Sequence, residues 1–276
     1  MATTQTRAGS SYTSGSAFSG LRKIGGSFLG SGLIALISVA ALMAVWEWLA
    51  VIFEVPTWLF PKPSDFLGRL VTDRAIIGMH AVATATTLLE GFVIGVVIAV
   101  PLALALTSIP ALERGLYPIV VFLNIMPKTV IGPVLIIWFG IGPLVAAVIV
   151  FLMCFFPILV DSMAGFRAVD KRLFYISCTM GATTWQSFWK FRLPAAMPHI
   201  YSGMKIGVVK AAEGVIVAEF IASNKGLGFM IMSASGTMDM SLMFSSLIAA
   251  AMVALLFNSV MAIAGTVFMP WVAKRH

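Results

Sequence analysis

The sequence predicts an all-α membrane protein with six transmembrane helices, and three observations carry that prediction. Hydrophobic residues make up 60% of the 276 positions, against roughly 45–50% in an ordinary soluble domain. Charged residues make up 11%, against about 25%, which is too little polar material to cover a surface facing water. The apolar residues also fall into long continuous runs, not the short alternating segments of a membrane barrel. Mean hydropathy is +1.01. The same composition excludes a typical water-soluble enzyme and a wholly disordered chain.

The elements follow in order. Residues 1–31 form a Gly/Ser-rich tail with Arg7, Arg22 and Lys23 and no acid. Such a tail cannot bury a core and is expected to be a disordered cytoplasmic segment. Its basic, acid-poor character is shared with transit peptides, whereas a cleaved signal peptide fits badly before an apolar run this long. The membrane domain, 32–276, holds six apolar stretches at about 32–53, 84–106, 117–139, 144–159, 200–222 and 242–271. Most approach or exceed the roughly 20 residues that cross a bilayer as helix. The third and fourth are joined only by Gly140–Ile141–Gly142–Pro143, a tight turn. Small residues spaced four apart, Gly91/Gly95 and Gly203/Gly207, permit close helix approach in or beside spans.

The net charge of +7 is read as topology rather than nucleic-acid binding, because cytoplasmic loops carry excess Lys and Arg. With the N-terminus inside, eleven of the 18 basic residues fall inside, four outside and three within or at the edge of spans. Both termini are therefore expected in the cytoplasm. Two connecting segments are long. The external one, 54–83, has an amphipathic piece from Ser64 to Val71 suited to the membrane surface. The internal one, 161–199, carries structure signals. Asp170 can cap a helix from Lys171, and Thr183 or Thr184 can cap a second, Trp185 to Arg192. Pro194 and Pro198 end the region before the fifth span. Phe174, Trp185, Phe188, Trp189 and Phe191 give it an aromatic surface that lies against the bilayer interface or fills a partner's pocket.

These residues carry a resemblance. Gly181–Ala182–Thr183–Thr184–Trp185, followed by Phe191–Arg192–Leu193–Pro194, resembles the EAA loop of ABC importer permeases, with glycine, Leu and Pro at the family spacing. The E-A-A positions themselves fall on Tyr175, Ile176 and Ser177, so the acidic residue is absent. Pro127–Lys128–Thr129–Val130–Ile131–Gly132–Pro133, the run Trp138 to Gly142, Gly214 to Ile231 and Leu59 to Ser64 are similar to the nitrate/sulfonate/taurine branch of the binding-protein-dependent transport family.

The resemblance implies a type I ABC importer permease fold whose internal loop forms a coupling helix. Gly181, Ala182, Trp185, Leu193 and Pro194 would be the coupling residues. It also implies a homodimer in the bacterial inner membrane, bound to two copies of an ATP-binding subunit and served by an external solute-binding protein. ATP and Mg would be held by that partner, since this chain has no G-x-x-x-x-G-K-[ST] phosphate loop and no cofactor of its own is expected.

Ionisable groups at membrane depth cost about 3 kcal/mol each on insertion scales, so each needs a reason. Lys128 lies in the third span, and Lys210, Glu213 and Glu219 in the fifth. Lys210 and Glu213 are three apart and can pair on one helix face. With Asn124 one turn before Lys128, these residues either face a translocation pathway or form an ion-pair network that fixes packing. Glu219 reads as structural or gating. Two buried lysines favour an anion, such as a sulfonate, nitrate or aromatic carboxylate. Two other readings stay open: a proton- or ion-coupled secondary transporter using Lys210, Glu213 or Glu219, and an intramembrane enzyme using Glu213, Glu219 and His199. His80, His199 and His276 are dispersed and make no metal-ligand set.

Overall fold

Long apolar sequences must satisfy every backbone polar group internally, and the chain does so with helices. A computed structural model describes residues 24–169, 179 and 181–268. Among these there is helix, turn and bend, and no strand. Two units are distinguished by their contacts, residues 1–55 and 56–276. The first contains α1 (Ile24–Ile52), a 29-residue helix whose described apolar side chains, from Leu33 to Trp48, are largely exposed on all sides. Lipid is the solvent such a surface needs.

The second unit runs α2 (Pro63–Thr72), α3 (Arg74–Ser108), α4 (Pro110–Ile125), a 3-10 turn (Lys128–Ile131), α5 (Gly132–Phe139) and α6 (Pro143–Ala168). After the internal segment come α7 (Thr184–Ser187), a π-helical stretch (Phe188–Arg192), α8 (Leu193–Ala222), α9 (Leu227–Gly236) and α10 (Met240–Phe268). Within the described residues each predicted stretch falls mainly on helix, the sixth as far as Phe268. Among these residues α3, α6 and α10 are each long and apolar enough to cross a membrane, and the bent α4–α5 pair passes the same test when taken together, as a broken span or a re-entrant loop.

Helix α6 is the centre of this unit, packed by α3 on one side and α8 on the other. Glycines set those distances. A Cβ on Gly95 of α3 would lie 2.6 Å from Cys154 Sγ. On Gly203 of α8 it would lie 2.8 Å from Asp161 Cβ and 3.2 Å from Ile158 Cα. Lipid offers no hydrophobic drive between helices, so this close packing is what holds the three together. Gly203→Leu is accordingly expected to cost about 1–3 kcal/mol by overpacking, read as a lowered midpoint in thermal or SDS unfolding of the detergent-solubilised protein.

Three expectations need correction. The third stretch is not one straight span: α4 and the 3-10/α5 segment meet at 86°. Pro127 explains it, because the residue before a proline is pushed out of the helical region, and Met126 sits at ψ 132°. Lys128 is therefore at a backbone break, not in mid-helix. Second, Pro194 and Pro198 do not end a loop. Pro194 lies in the first turn of α8 and Pro198 in its interior, and the chain is helical without interruption from Thr184 to Ala222. Pro194 offers no N–H to the preceding turn, and the five residues Phe188–Arg192, which end two positions before it, open into a wider π turn. Third, the amphipathic piece from Ser64 to Val71 is α2, and its apolar residues divide: Leu67 and Val71 stay exposed, as a membrane-surface helix needs, while another edge meets protein. Phe66 is buried, stacks on Phe244 at 5.8 Å and accepts a 2.7 Å bond at its carbonyl from Ser245 Oγ.

Candidate functional site

Charge is gathered where the backbone breaks. Lys128 Nζ donates to the Asn124 carbonyl at 2.6 Å and lies 5.3 Å from the Phe156 ring centre. The 3-10 turn that carries it rests on α6 and α8. On α8, Lys210 Nζ and Glu213 Oε2 form the predicted i,i+3 pair at 2.7 Å, with side chains about half exposed. The fold thus places Lys128 on a turn that touches α8, the helix that carries Lys210 and Glu213. Asn124 contributes its backbone carbonyl to Lys128. Glu213 also lines a groove of about 360 Å³ between α8 and α10, apolar except for Glu213 and Asn258.

Glu219 sits apart in its bonding. It is 1% exposed, and its Oε2 accepts from Thr84 Oγ1 at 2.9 Å and from the Gly228 amide at 2.9 Å. Thr84 Oγ1 in turn accepts from the Leu227 amide at 2.8 Å. Two of the unpaired amides at the start of α9 are thereby served by a carboxylate and a hydroxyl from other helices. One residue earlier, the Gly226 amide donates to His80 Nδ1 at 3.0 Å, and the His80 ring stacks on Phe229. Sequence reading did not find His80 and Thr84 as partners of this turn. The available signal was the Gly-Leu-Gly step at 226–228, which any tight backbone approach would require.

The segment from Gly181 to Pro194 is built differently. Gly181 has φ +80° with open space around its α-carbon, so the glycine answers to conformation, not crowding. Thr183 and Gln186 form a reciprocal capping box: the Gln186 amide donates to Thr183 Oγ1 at 3.2 Å and the Thr183 amide to Gln186 Oε1 at 3.0 Å. Of the two predicted caps, Thr183 makes these bonds. Trp185 is 67% and Trp189 53% exposed. Their rings form a cluster with Phe188, at 5.5–6.0 Å between centres. Phe188 and Leu193 lean on the core, Pro194 opens α8, and half-buried Ala182 leads into the cap. The predicted cap at Asp170 and the E-A-A positions 175–177 lie outside the described residues.

Helices apolar enough to cross a membrane, a bent pair beside charged side chains and an exposed aromatic helix suit a membrane transport subunit. Residues 91–274 match the family described as binding-protein-dependent transport system inner membrane component, and the chain belongs to that family. It is 27% identical over 228 residues to the taurine transport system permease protein TauC of Escherichia coli K12, covering 80% of this chain and 83% of TauC. It is 27% identical over 221 residues to the riboflavin transport system permease protein RibX of Chloroflexus aurantiacus, covering 79% of this chain and 82% of RibX. Its fold matches a chain of the inward-facing MetNI methionine ABC transporter with TM-score 0.60 at 18% identity, over 68% of this chain and 94% of that one. The chain is a membrane-embedded permease component of an ABC importer for a small solute, a transport subunit with the type I importer fold.

Proposed function

We propose that this subunit forms, as a homodimer, the pathway for a small anion handed over by an external binding protein. Two copies of an ATPase subunit, which would hold ATP and Mg, drive it from the cytoplasmic side, where both termini lie. One observation carries the substrate class: Lys128 stands at a backbone break that packs against α8, where Lys210 pairs with Glu213. Non-helical backbone at membrane depth is tolerated where protein buries it or where it lines a watery cavity. A lysine at such a break is a place for a solute's negative charge. The names of the relatives span a sulfonate and a flavin, so the anion itself is left to experiment. Glu219, tied to Thr84 and Gly228, serves in this reading to hold the pathway wall and not to touch solute.

The exposed Trp185–Trp189 cluster supports a helix-in-groove contact with the ATPase, with Gly181 setting the approach and Leu193 and Pro194 rooting the helix in α8. Purification of the tagged chain from native membranes in mild detergent tests this. A stoichiometric ATPase subunit should accompany it. In the double variant Trp185→Ala/Trp189→Ala, loss of two aromatic anchors at about 2 kcal/mol or more each should remove that subunit from the eluate. A chain that purifies alone sinks the reading and favours proton-coupled transport. Retention of the ATPase by the double variant moves the docking surface elsewhere.

A further inference from the structure

The side chain of Arg192, at the seam between the π turn and α8, reaches away from its own helix. Its Nη1 donates to Ser108 Oγ at 3.2 Å and its Nη2 to Thr107 Oγ1 at 3.4 Å. Its guanidinium lies 5.7 Å from the Phe166 ring centre on α6. Both hydroxyls are already committed as donors inside α3. Ser108 Oγ donates to the Leu104 carbonyl at 2.7 Å, and Thr107 Oγ1 to the Ala103 carbonyl at 2.8 Å. What they offer outward is acceptor capacity alone. Arginine has five donors and no acceptor, in a planar fork that spans two oxygens. The site is also the C-terminus of α3, where the helix dipole favours a cation.

The next turn of chain is held from the other side. Arg167 of α6 pairs with Glu113 in the first turn of α4 and lies 4.3 Å from the Tyr117 ring centre. Arg192 thus holds the end of α3 before the corner Ser108–Ile109–Pro110, and Arg167 holds Glu113 and Tyr117 of α4 after it. Helix α4 leads directly from that corner to the 86° break at Lys128.

We propose that Arg192 is a positioning residue that passes displacement of the aromatic docking segment to the α3–α4 corner, and through α4 to the break at Lys128. This rests on the reading that the docking segment meets an ATPase. The two charge-assisted bonds of Arg192 tie that segment to the end of α3, so they come into play when the docking segment moves.

Hydrogen–deuterium exchange of the co-purified complex, with and without ATP and vanadate, tests this. In the native complex the nucleotide should change exchange in both the docking segment, 183–192, and the corner, 105–116. In Arg192→Ala the change at the docking segment should persist and the change at the corner should fall by about tenfold, as expected when a charge-assisted hydrogen-bonded link is cut. Arg192→Lys keeps the charge and a donor and should restore part of it. The variant Thr107→Val/Ser108→Ala leaves Arg192 in place and should reproduce the loss, and it tests the link if Arg192→Ala fails to fold. A corner response of native size in a folded Arg192→Ala or Thr107→Val/Ser108→Ala complex overturns the proposal. Absence of any ATPase from the purified chain defeats the docking reading instead.

Discussion

Gly226→Val is expected to unseat the turn between α8 and α9 and to destabilise the protein by about 2–5 kcal/mol, from overpacking together with a left-handed backbone that a branched side chain resists. Two features act at once. Gly226 has φ +104°, and a Cβ there would lie 2.1 Å from Glu219 Cδ and 2.2–2.3 Å from both carboxylate oxygens. The carboxylate cannot step aside without abandoning Thr84 and the Gly228 amide. Glu219→Ala should itself cost about 1–3 kcal/mol by leaving buried donors unpaired. The combination Gly226→Ala/Glu219→Ala should be milder than the sum of its parts, because removing the carboxylate makes room for the new methyl group. Gly236→Ala, with open space around it, is the control. Unfolding midpoints in detergent decide the matter: a Gly226→Val protein as stable as the native one would mean that the turn is not held in the way described.

Charge reversal at Lys210 is expected to abolish anion transport while the complex still assembles. Lys210→Glu turns a local balance of two cations and one anion into one cation and two anions, and sets two carboxylates three residues apart on α8. At an effective dielectric near 20, a unit charge about 4 Å away changes a solute's energy by about 4 kcal/mol, so uptake should fall by about a hundredfold or more. The readout is uptake into proteoliposomes of the solute that the co-purified binding protein carries. Uptake at the native rate by an assembled Lys210→Glu complex would make the Lys210–Glu213 pair a packing device.

The membrane helices were legible because hydropathy is a property of neighbours in sequence. Runs such as 144–159 state their solvent without help from the rest of the chain. The Lys210–Glu213 pair was legible for the same reason, since three residues of helix bring the two together wherever the helix lies. So was the Thr183 cap, whose partner Gln186 is three residues away. The bend at Met126–Pro127 was half legible: the prolines were in view, but hydropathy averages across a break and hides an 86° turn. Pro194 and Pro198 misled in the opposite direction. As punctuation they suggested a stop, yet a π turn and the crowded surroundings of α8 let the helix run through them.

By itself the sequence determined that this protein lives in a bilayer as helices, that an aromatic helix starts at the Thr183 cap, and which charges would have to be explained. Only the tertiary structure decided what those charges do. Glu219 became the cap of α9 because Thr84, 135 residues away, reaches it. Lys128 comes to the helix that carries Lys210 because the bend at Met126–Pro127 folds its turn against α8. Arg192 meets Ser108 across 84 residues of chain. Hydropathy and helical spacing are summed along the chain, so sequence carries them. A buried polar group's partner is chosen by which helices touch, and that is settled only when they pack.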